Sequence, residues 1–243
     1  MRLTRVHVAG PLAAGGRQTI EGDAANHIVR VLRLERGDLL TVFDGRGGEY
    51  AARIEEFRKG TVIVAVAGRT TVVRESPLSL TLAQGVSRGE RMDWVVQKAT
   101  ELGVTRIVPV LTERTVVKLD ARQAERKLLH WQGIAAAACE QSGRDRIPAV
   151  DGPLTLAEFM DEVDSHATRV VLSPEAELRV ADLPRPDGEV VVLIGPEGGL
   201  AETERRAALA KGFVAVRLGP RVLRTETAAV AALTLIQHHF GDL

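Results

Sequence analysis

The chain has a single cysteine, Cys139, which excludes an intrachain disulfide framework, and no metal-ligand partner stands at short spacing from it. It sits in the run Ala135-Ala136-Ala137-Ala138-Cys139, the setting of a small buried helix residue. No apolar run approaches the length of a membrane span. Met1-Arg2-Leu3-Thr4-Arg5 leads into a short alternating segment rather than a signal-peptide core, so a soluble, cytoplasmic protein is expected. The six histidines, at 7, 27, 130, 166, 238 and 239, form no i, i+4 metal pair, and there is no Gly-x-Ser-x-Gly elbow. These absences disfavour a hydrolase or a metalloenzyme, and no metal is expected.

Lysine is scarce as well: of the 32 basic residues 27 are Arg and 5 are Lys. That ratio suits bidentate contact with phosphates or base edges, although genome composition produces the same bias. Net charge is zero, but it is unevenly spread. Residues 1–150 carry 23 basic against 17 acidic side chains, a net +6, and residues 151–243 carry 9 against 15, a net −6.

At 243 residues and 45% hydrophobic, the chain is long enough for two domains. Leu3 to Val8 alternates as a half-buried strand does, and Pro11 to Arg17 is a Gly-rich connection. Ala24 to Leu34 reads as a helix with Ile28, Val31 and Leu32 on one side, while His27, Arg30 and Arg33 project elsewhere and Gly37 stops it. That basic face is either an RNA contact or a solvated helix surface. Leu39 to Phe43, Glu49 to Phe57 and Thr61 to Val66 follow as short strands, the pattern of a small β-barrel. After Pro77 strands alternate with helices: Leu78 to Ala83, Arg106 to Leu111, Arg169 to Leu172, Val190 to Ile194 and Phe213 to Arg217 are strands. About five such strands predict an α/β domain with a parallel sheet covered on both faces. The expected division is 1–72 and 73–243.

Two loops at strand exits stand out. Gly195-Pro196-Glu197-Gly198-Gly199 follows five aliphatic residues. It is neither a Walker A loop nor a G-x-G-x-x-G fingerprint, so phosphate-binding readings weaken. It offers bare backbone that a flat ligand can approach closely. A tight turn with Glu197 at a helix amino terminus explains the same residues. The second loop runs through Leu218, Gly219 and Leu223 and concentrates Arg224, Thr225, Glu226 and Thr227 at one exit. A helix cap by Thr225 accounts for one of those four. Ligands gather at such carboxyl-terminal exits, which makes this the expected binding site.

Together, Leu193 to Gly199 and Leu218 to Ala228 resemble the paired cofactor motifs of the SPOUT class of methyltransferases. More narrowly they resemble the bacterial family that methylates N3 of a uridine in 16S ribosomal RNA. His27 to Arg33 with Phe43-Asp44-Gly45 resembles that family's amino-terminal PUA-like RNA-binding barrel. Lys98 to Val104, Glu113-Arg114 and Glu140 to Arg144 resemble its middle segments. The resemblance implies a trefoil-knotted catalytic domain, S-adenosylmethionine as cofactor, and a homodimer with its sites at the interface. Carried over by position, the cofactor meets Leu172, Ile194, Gly195, Pro196, Glu197, Gly198 and Gly199 on one side. On the other it meets Leu218, Gly219, Leu223, Arg224, Thr225 and Thr227. The chain departs from the family where Ala201 lacks the hydroxyl that would complete a capping box with Glu204.

Uracil N3 becomes nucleophilic only as its proton leaves and charge spreads onto O2 and O4. A guanidinium aimed at those oxygens stabilises the anion; Arg224 is the first candidate, with Arg114 or Arg144 as second donor. Glu197 or Glu226 accepts the proton or orients an arginine. RNA contacts are expected from Arg2, Arg5, His27, Arg30 and Arg33, and the substrate is 16S rRNA or the small subunit. A ribose 2′-hydroxyl methyltransferase of the same class and a non-catalytic RNA-binding or assembly protein are the alternatives.

Overall fold

Alternation of apolar and polar residues through the front of the chain produces short strands that share one buried face. In the computed structural model, which describes residues 4–70, 72 and 74–243, these are β1 (Arg5–His7), β2 (Arg17–Glu21), β3 (Leu39–Phe43), β4 (Glu49–Arg58) and β5 (Thr61–Arg69). They pair in the order β1-β3-β4-β5-β2, with β1 parallel to β3 and the other pairs antiparallel. Val6, Ile20, Leu40, Val42, Ile54, Val62 and Val64 fill the core beneath the sheet. β2 was not foreseen. In Arg17-Gln18-Thr19-Ile20-Glu21 only Ile20 is apolar and buried, too little for an alternation signal.

The expected helix over Ala24–Leu34 is shorter and changes type. α1 covers Gly22–Asn26, and His27–Val31 continues as a π-helical turn in which the Leu32 amide reaches back to the His27 carbonyl at 2.9 Å. The wider turn alters the phase of the side chains. Ile28 is fully buried as expected, but Val31 is turned out and 66% exposed. The chain leaves the helical region at Arg33, φ 52°, before Gly37.

Compactness groups the stretch up to Glu75 with a later segment, Ala136–Ile147, whereas the sequence division assigned that segment to 73–243. Backbone bonds tie it to the β3–β4 loop: Gly47 N–H to Asp145 O at 3.1 Å and Ile147 N–H to Gly45 O at 3.0 Å. Charged pairs do the rest. Arg144, 3% exposed, donates from Nε and Nη2 to Glu75 Oε2 at 3.0 and 2.7 Å, while Glu75 Oε1 accepts the Asp145 and Arg146 amides. Arg5 is buried too, ion-paired with Glu49, donating to the Arg144 carbonyl at 2.8 Å and lying 4.8 Å over the Phe43 ring. In the same segment burial pushes the Cys139 thiol up to about 12, as suits an inert core residue.

The other unit is Ser76–Ala135 with Pro148–Leu243. Its elements are β6 (Leu80–Gly85), α2 (Arg91–Glu101), β7 (Arg106–Leu111), β8 (Ala149–Val150), β9 (Leu154–Thr155), α4 (Leu156–Glu162), β10 (Thr168–Leu172), β11 (Leu178–Arg179), β12 (Val190–Ile194), α5 (Glu202–Ala210), β13 (Val214–Arg217) and α6 (Thr225–Phe240), with α3 (Ala121–Ser142) running from it into the segment above. Asp120 caps α3 as expected, accepting from Gln123 N at 2.7 Å. The strands form the parallel sheet β11-β13-β10-β12-β6-β7-β8, with β9 also paired to β7.

Every residue of β12 is buried, because helices cover both faces. Ala83, Val108, Val171, Val191 and Leu193 belong to one side, packed with Phe159, Ala208 and Phe213. In-register Leu82, Ile107 and Val192 point to the other. Among the described residues no helix is long and apolar enough to cross a membrane.

Removing the Glu75 carboxylate strips a buried guanidinium of a hydrogen-bonded counter-charge. Glu75→Ala should therefore destabilise the protein by about 3–5 kcal/mol in urea denaturation, and Glu75→Gln, which keeps an acceptor, by less.

Candidate active site at the carboxyl ends of the parallel strands

β12 and β13 flank β10 on opposite sides, so the loops leaving them converge over the carboxyl end of β10. This is how two segments some twenty residues apart come to share one cavity of about 710 Å3. Leu172 from β10, Ile194 to Gly199 from the β12 exit, and Leu218, Gly219, Leu223, Arg224 and Thr225 from the β13 exit all line it. Of the cofactor residues carried over by position, Thr227 alone lies outside: it points into solvent from the first turn of α6.

Local geometry explains why glycine is needed here. A Cβ on Gly85, at the end of β6, would lie 2.3 Å from the Pro196 nitrogen and 2.7 Å from the Gly195 carbonyl carbon. One on Gly195 would lie 2.8 Å from Gly199 C and Leu200 N. The first loop is thus pressed against β6 and folded on itself, backbone against backbone.

Thr225 is not the helix cap that its sequence position suggests; Arg224 takes the cap position. Instead the Thr225 hydroxyl donates to Gly195 O at 2.7 Å and accepts from Gln84 Nε2 at 2.8 Å, tying the second loop to the first. At Ala201 half of the capping box survives. Glu204 accepts from the Ala201 amide at 2.9 Å and from the Glu113 amide at 2.8 Å.

The charged residues separate into engaged and open groups. Arg114 lines the cavity and donates to Gly198 O at 2.9 Å. Glu197 Oε1 accepts from the Arg88 amide at 2.9 Å and from Arg91 Nη1 at 2.6 Å. Burial pushes the Glu197 carboxyl up, but the Arg88 amide, its own amide and the Arg91 guanidinium outweigh burial and hold it below the ordinary value. A carboxylate so held is a poor proton acceptor and a good anchor for Arg91. Arg224 is exposed at the cavity wall.

Arg144 is not brought to this cavity. Its guanidinium is buried against Glu75 in the other unit, so its expected role as second donor is corrected to a structural one. Sequence reading also missed Arg91, which lines the cavity from the amino end of α2, some hundred residues upstream of either loop. Its bond to Glu197 is a tertiary contact with no spacing signal.

Among the RNA-contact candidates, Arg30 and Arg33 are exposed and His27 is half-buried. Arg5 is corrected: at 7% exposure it turns inward to Glu49. Arg2 lies outside the described residues.

Comparison with known proteins gives this geometry a family. The profile described as an RNA methyltransferase domain matches residues 74–237, and the one described as an RNA methyltransferase PUA domain matches 20–67. The ribosomal RNA small subunit methyltransferase E of Buchnera aphidicola (from Schizaphis graminum) is 32% identical, over 100% of this chain and 98% of that protein. That of Bacillus subtilis is 33% identical over 90% and 89%. Among solved structures, the Neisseria gonorrhoeae ribosomal RNA small subunit methyltransferase E bound to S-adenosyl methionine superposes with a TM-score of 0.94 at 37% identity, covering 100% of both chains. A Legionella pneumophila protein solved with bound SAM gives 0.96 at 42%, also over 100% of both. The two loops that meet over β10 are therefore a shared architecture, and the chain belongs to the ribosomal RNA small subunit methyltransferase E family.

Proposed function

We propose that this protein transfers the methyl group of S-adenosylmethionine to N3 of a uracil in 16S ribosomal RNA, in the cytoplasm, as a homodimer. One observation carries the reading: two glycine-bearing loops form a cavity at the strand exits of a parallel sheet, with an arginine on its wall. The cavity fits the cofactor. Leu172, Ile194, Leu218 and Leu223 give it apolar surface, the loops leave main chain open to a flat adenine, and its volume is that of a small-molecule site. A side chain at Gly195 would press on the Gly199 and Leu200 backbone, so the loop can offer a ligand only bare main chain at that position. Knotting of the chain through these loops is part of the same proposal.

Bound there, S-adenosylmethionine supplies a methyl group already activated by a sulfonium. The residues of the chain have three remaining tasks: to hold the uracil in line, to exclude water, and to stabilise the imide anion as it forms. Arg224 faces O2 or O4. Arg114, held by Gly198 O, closes the wall beside the first loop. Glu197 orients Arg91. Val222, 81% exposed beside the cavity, is the apolar rim that a second subunit covers. Arg30 and Arg33 contact phosphates of the RNA.

Arg224→Ala should lower single-turnover transfer by about 10²–10³-fold while calorimetric S-adenosylmethionine affinity is retained. Retained turnover would remove Arg224 from the mechanism. The modified nucleoside, mapped by mass spectrometry, should carry its methyl on N3; a ribose methyl would show the 2′-hydroxyl chemistry instead. Replacing Arg30 and Arg33 together with Ala should weaken RNA binding and lower its salt dependence by roughly two phosphate contacts, with cofactor affinity unchanged. Arg5→Ala, by contrast, should reduce stability.

A further inference from the structure

We infer that Glu226 is the general base of the reaction, its Oε2 taking the proton of uracil N3. The inference rests on the N3 reading above and goes beyond it by naming the proton acceptor.

An acceptor for this proton has to line the cavity, be ionised, and have an oxygen not already occupied. Among the described residues no histidine lines the cavity, and four carboxylates do: Glu175, Glu197, Glu202 and Glu226. Glu175 has a side chain 78% exposed and is held by Arg205 Nη1 at 2.9 Å. Glu202 is occupied at both oxygens, Oε2 by Arg205 and Oε1 by Arg206. Glu197 takes the Arg88 amide and Arg91 on one oxygen, and these donors stabilise its ionised form.

Glu226 differs from all three. Its side chain is 17% exposed, its Oε1 faces Arg91 Nε at 3.9 Å, and its Oε2 is buried with no hydrogen-bond partner. A buried carboxylate oxygen without a donor is costly, and an incoming N–H removes that cost. Gln84 Oε1 is the other orphaned acceptor near the loops. An amide oxygen is far too weak a base, and Gln84 does not line the cavity.

Position supports the assignment. Glu226 is the second residue of α6, a 16-residue helix whose first residue is locked to Gly195 and Gln84 through the Thr225 hydroxyl. A rigid element therefore carries the base, and Arg224, two residues earlier, supplies the charge that stabilises the anion. Arg91 stands between Glu197 and Glu226, its Nη1 2.6 Å from the first and its Nε 3.9 Å from Oε1 of the second, and leaves Oε2 unoccupied.

In the step, the N3–H bond breaks and the proton passes to Glu226 Oε2. The electron pair left on N3 forms the bond to the methyl carbon, whose bond to sulfur breaks with its electrons remaining on sulfur, giving a neutral thioether. The protonated carboxyl then returns its proton to solvent.

The test uses the full-length protein with Glu226→Gln, which keeps shape and removes basicity, and Glu226→Asp, which keeps a carboxylate. S-adenosylmethionine binding is measured by calorimetry. Single-turnover transfer is measured on rRNA substrate made with uracil or with 5-fluorouracil, whose N3–H is more acidic. For Glu226→Gln, cofactor affinity should be unchanged, transfer to uracil should fall by about 10²–10⁴-fold, and the loss should be at least about tenfold smaller on 5-fluorouracil. Glu226→Asp should retain an intermediate rate.

A fall in cofactor affinity matching the fall in rate would overturn the inference, since Glu226 would then serve the cofactor. Equal losses on the two substrates would overturn it as well. The mass-spectrometric position of the wild-type methyl reports separately on the N3 reading: a ribose product would sink that reading without any variant.

Discussion

The site depends on a contact made chiefly by main chain, with the Pro196 ring beside it. Where β6 ends, the backbone of Gly85 lies against Gly195 and Pro196 so closely that a single added carbon would sit 2.3 Å from the Pro196 nitrogen. That approach sets the direction in which the first loop leaves the sheet. The Thr225 hydroxyl then carries the placement to the second loop by bridging Gly195 O and Gln84 Nε2, and α6 begins at that residue. Three strand exits and one helix amino terminus are in this way fixed relative to one another by backbone contact and two hydrogen bonds. Side chains on elements so fixed need little reorganisation during a reaction, which is what electrostatic stabilisation of a forming anion requires.

Charge in the cavity follows from the same arrangement. Among the described residues its wall carries five arginines, at 91, 114, 205, 221 and 224, and four glutamates, at 175, 197, 202 and 226. Most of these cancel locally: Arg205 is shared by Glu175 and Glu202, and Arg91 is held by Glu197. What remains is Arg221, Arg224 and Arg114, the last donating to Gly198 O, and Glu226 with its Oε2 buried and unpartnered. An arginine beside a buried, unpartnered carboxylate oxygen answers both halves of an imide, whose oxygens gain charge while its nitrogen gives up a proton.

Strand alternation and the five-aliphatic run of β12 are local signals, and the longer strands of both sheets were legible from them; β2, with one buried apolar residue, and the two-residue β8, β9 and β11 were not. The cavity-lining loops were legible as well, because glycine at a strand exit has few other uses. What escaped was tertiary. Arg91 meets Glu197 across about a hundred residues, and Gly85 matters only through what lies against it. Arg5 and Arg144, which composition alone would send to the surface or the site, are instead spent on a buried cluster with Glu49 and Glu75. The π-helical turn at His27–Val31 shifted side-chain phase in a way that no period-3.6 count registers.

Net charge summed over a stretch of sequence is a poor guide to the charge at the cavity. The back of the chain carries −6 overall, which by itself repels a phosphate backbone. Yet several of those carboxylates are not available to repel anything: Glu197 and Glu202 are bound to arginines, and Asp151 is paired with Arg106 at 2.5 Å. Pairing neutralises field at short range, so the field inside the cavity is set by its unpaired wall residues, Arg224 among them, more than by the sum over residues 151–243. The front carries the opposite excess, and after Arg5 and Arg144 are discounted as internally paired, exposed arginines such as Arg30 and Arg33 still give it a cationic surface. Net charge over a stretch of sequence therefore says little about the field at the cavity, because the pairing crosses the halves: Glu197 and Asp151 are neutralised by Arg91 and Arg106 of residues 1–150, while Glu175 and Glu202 share Arg205.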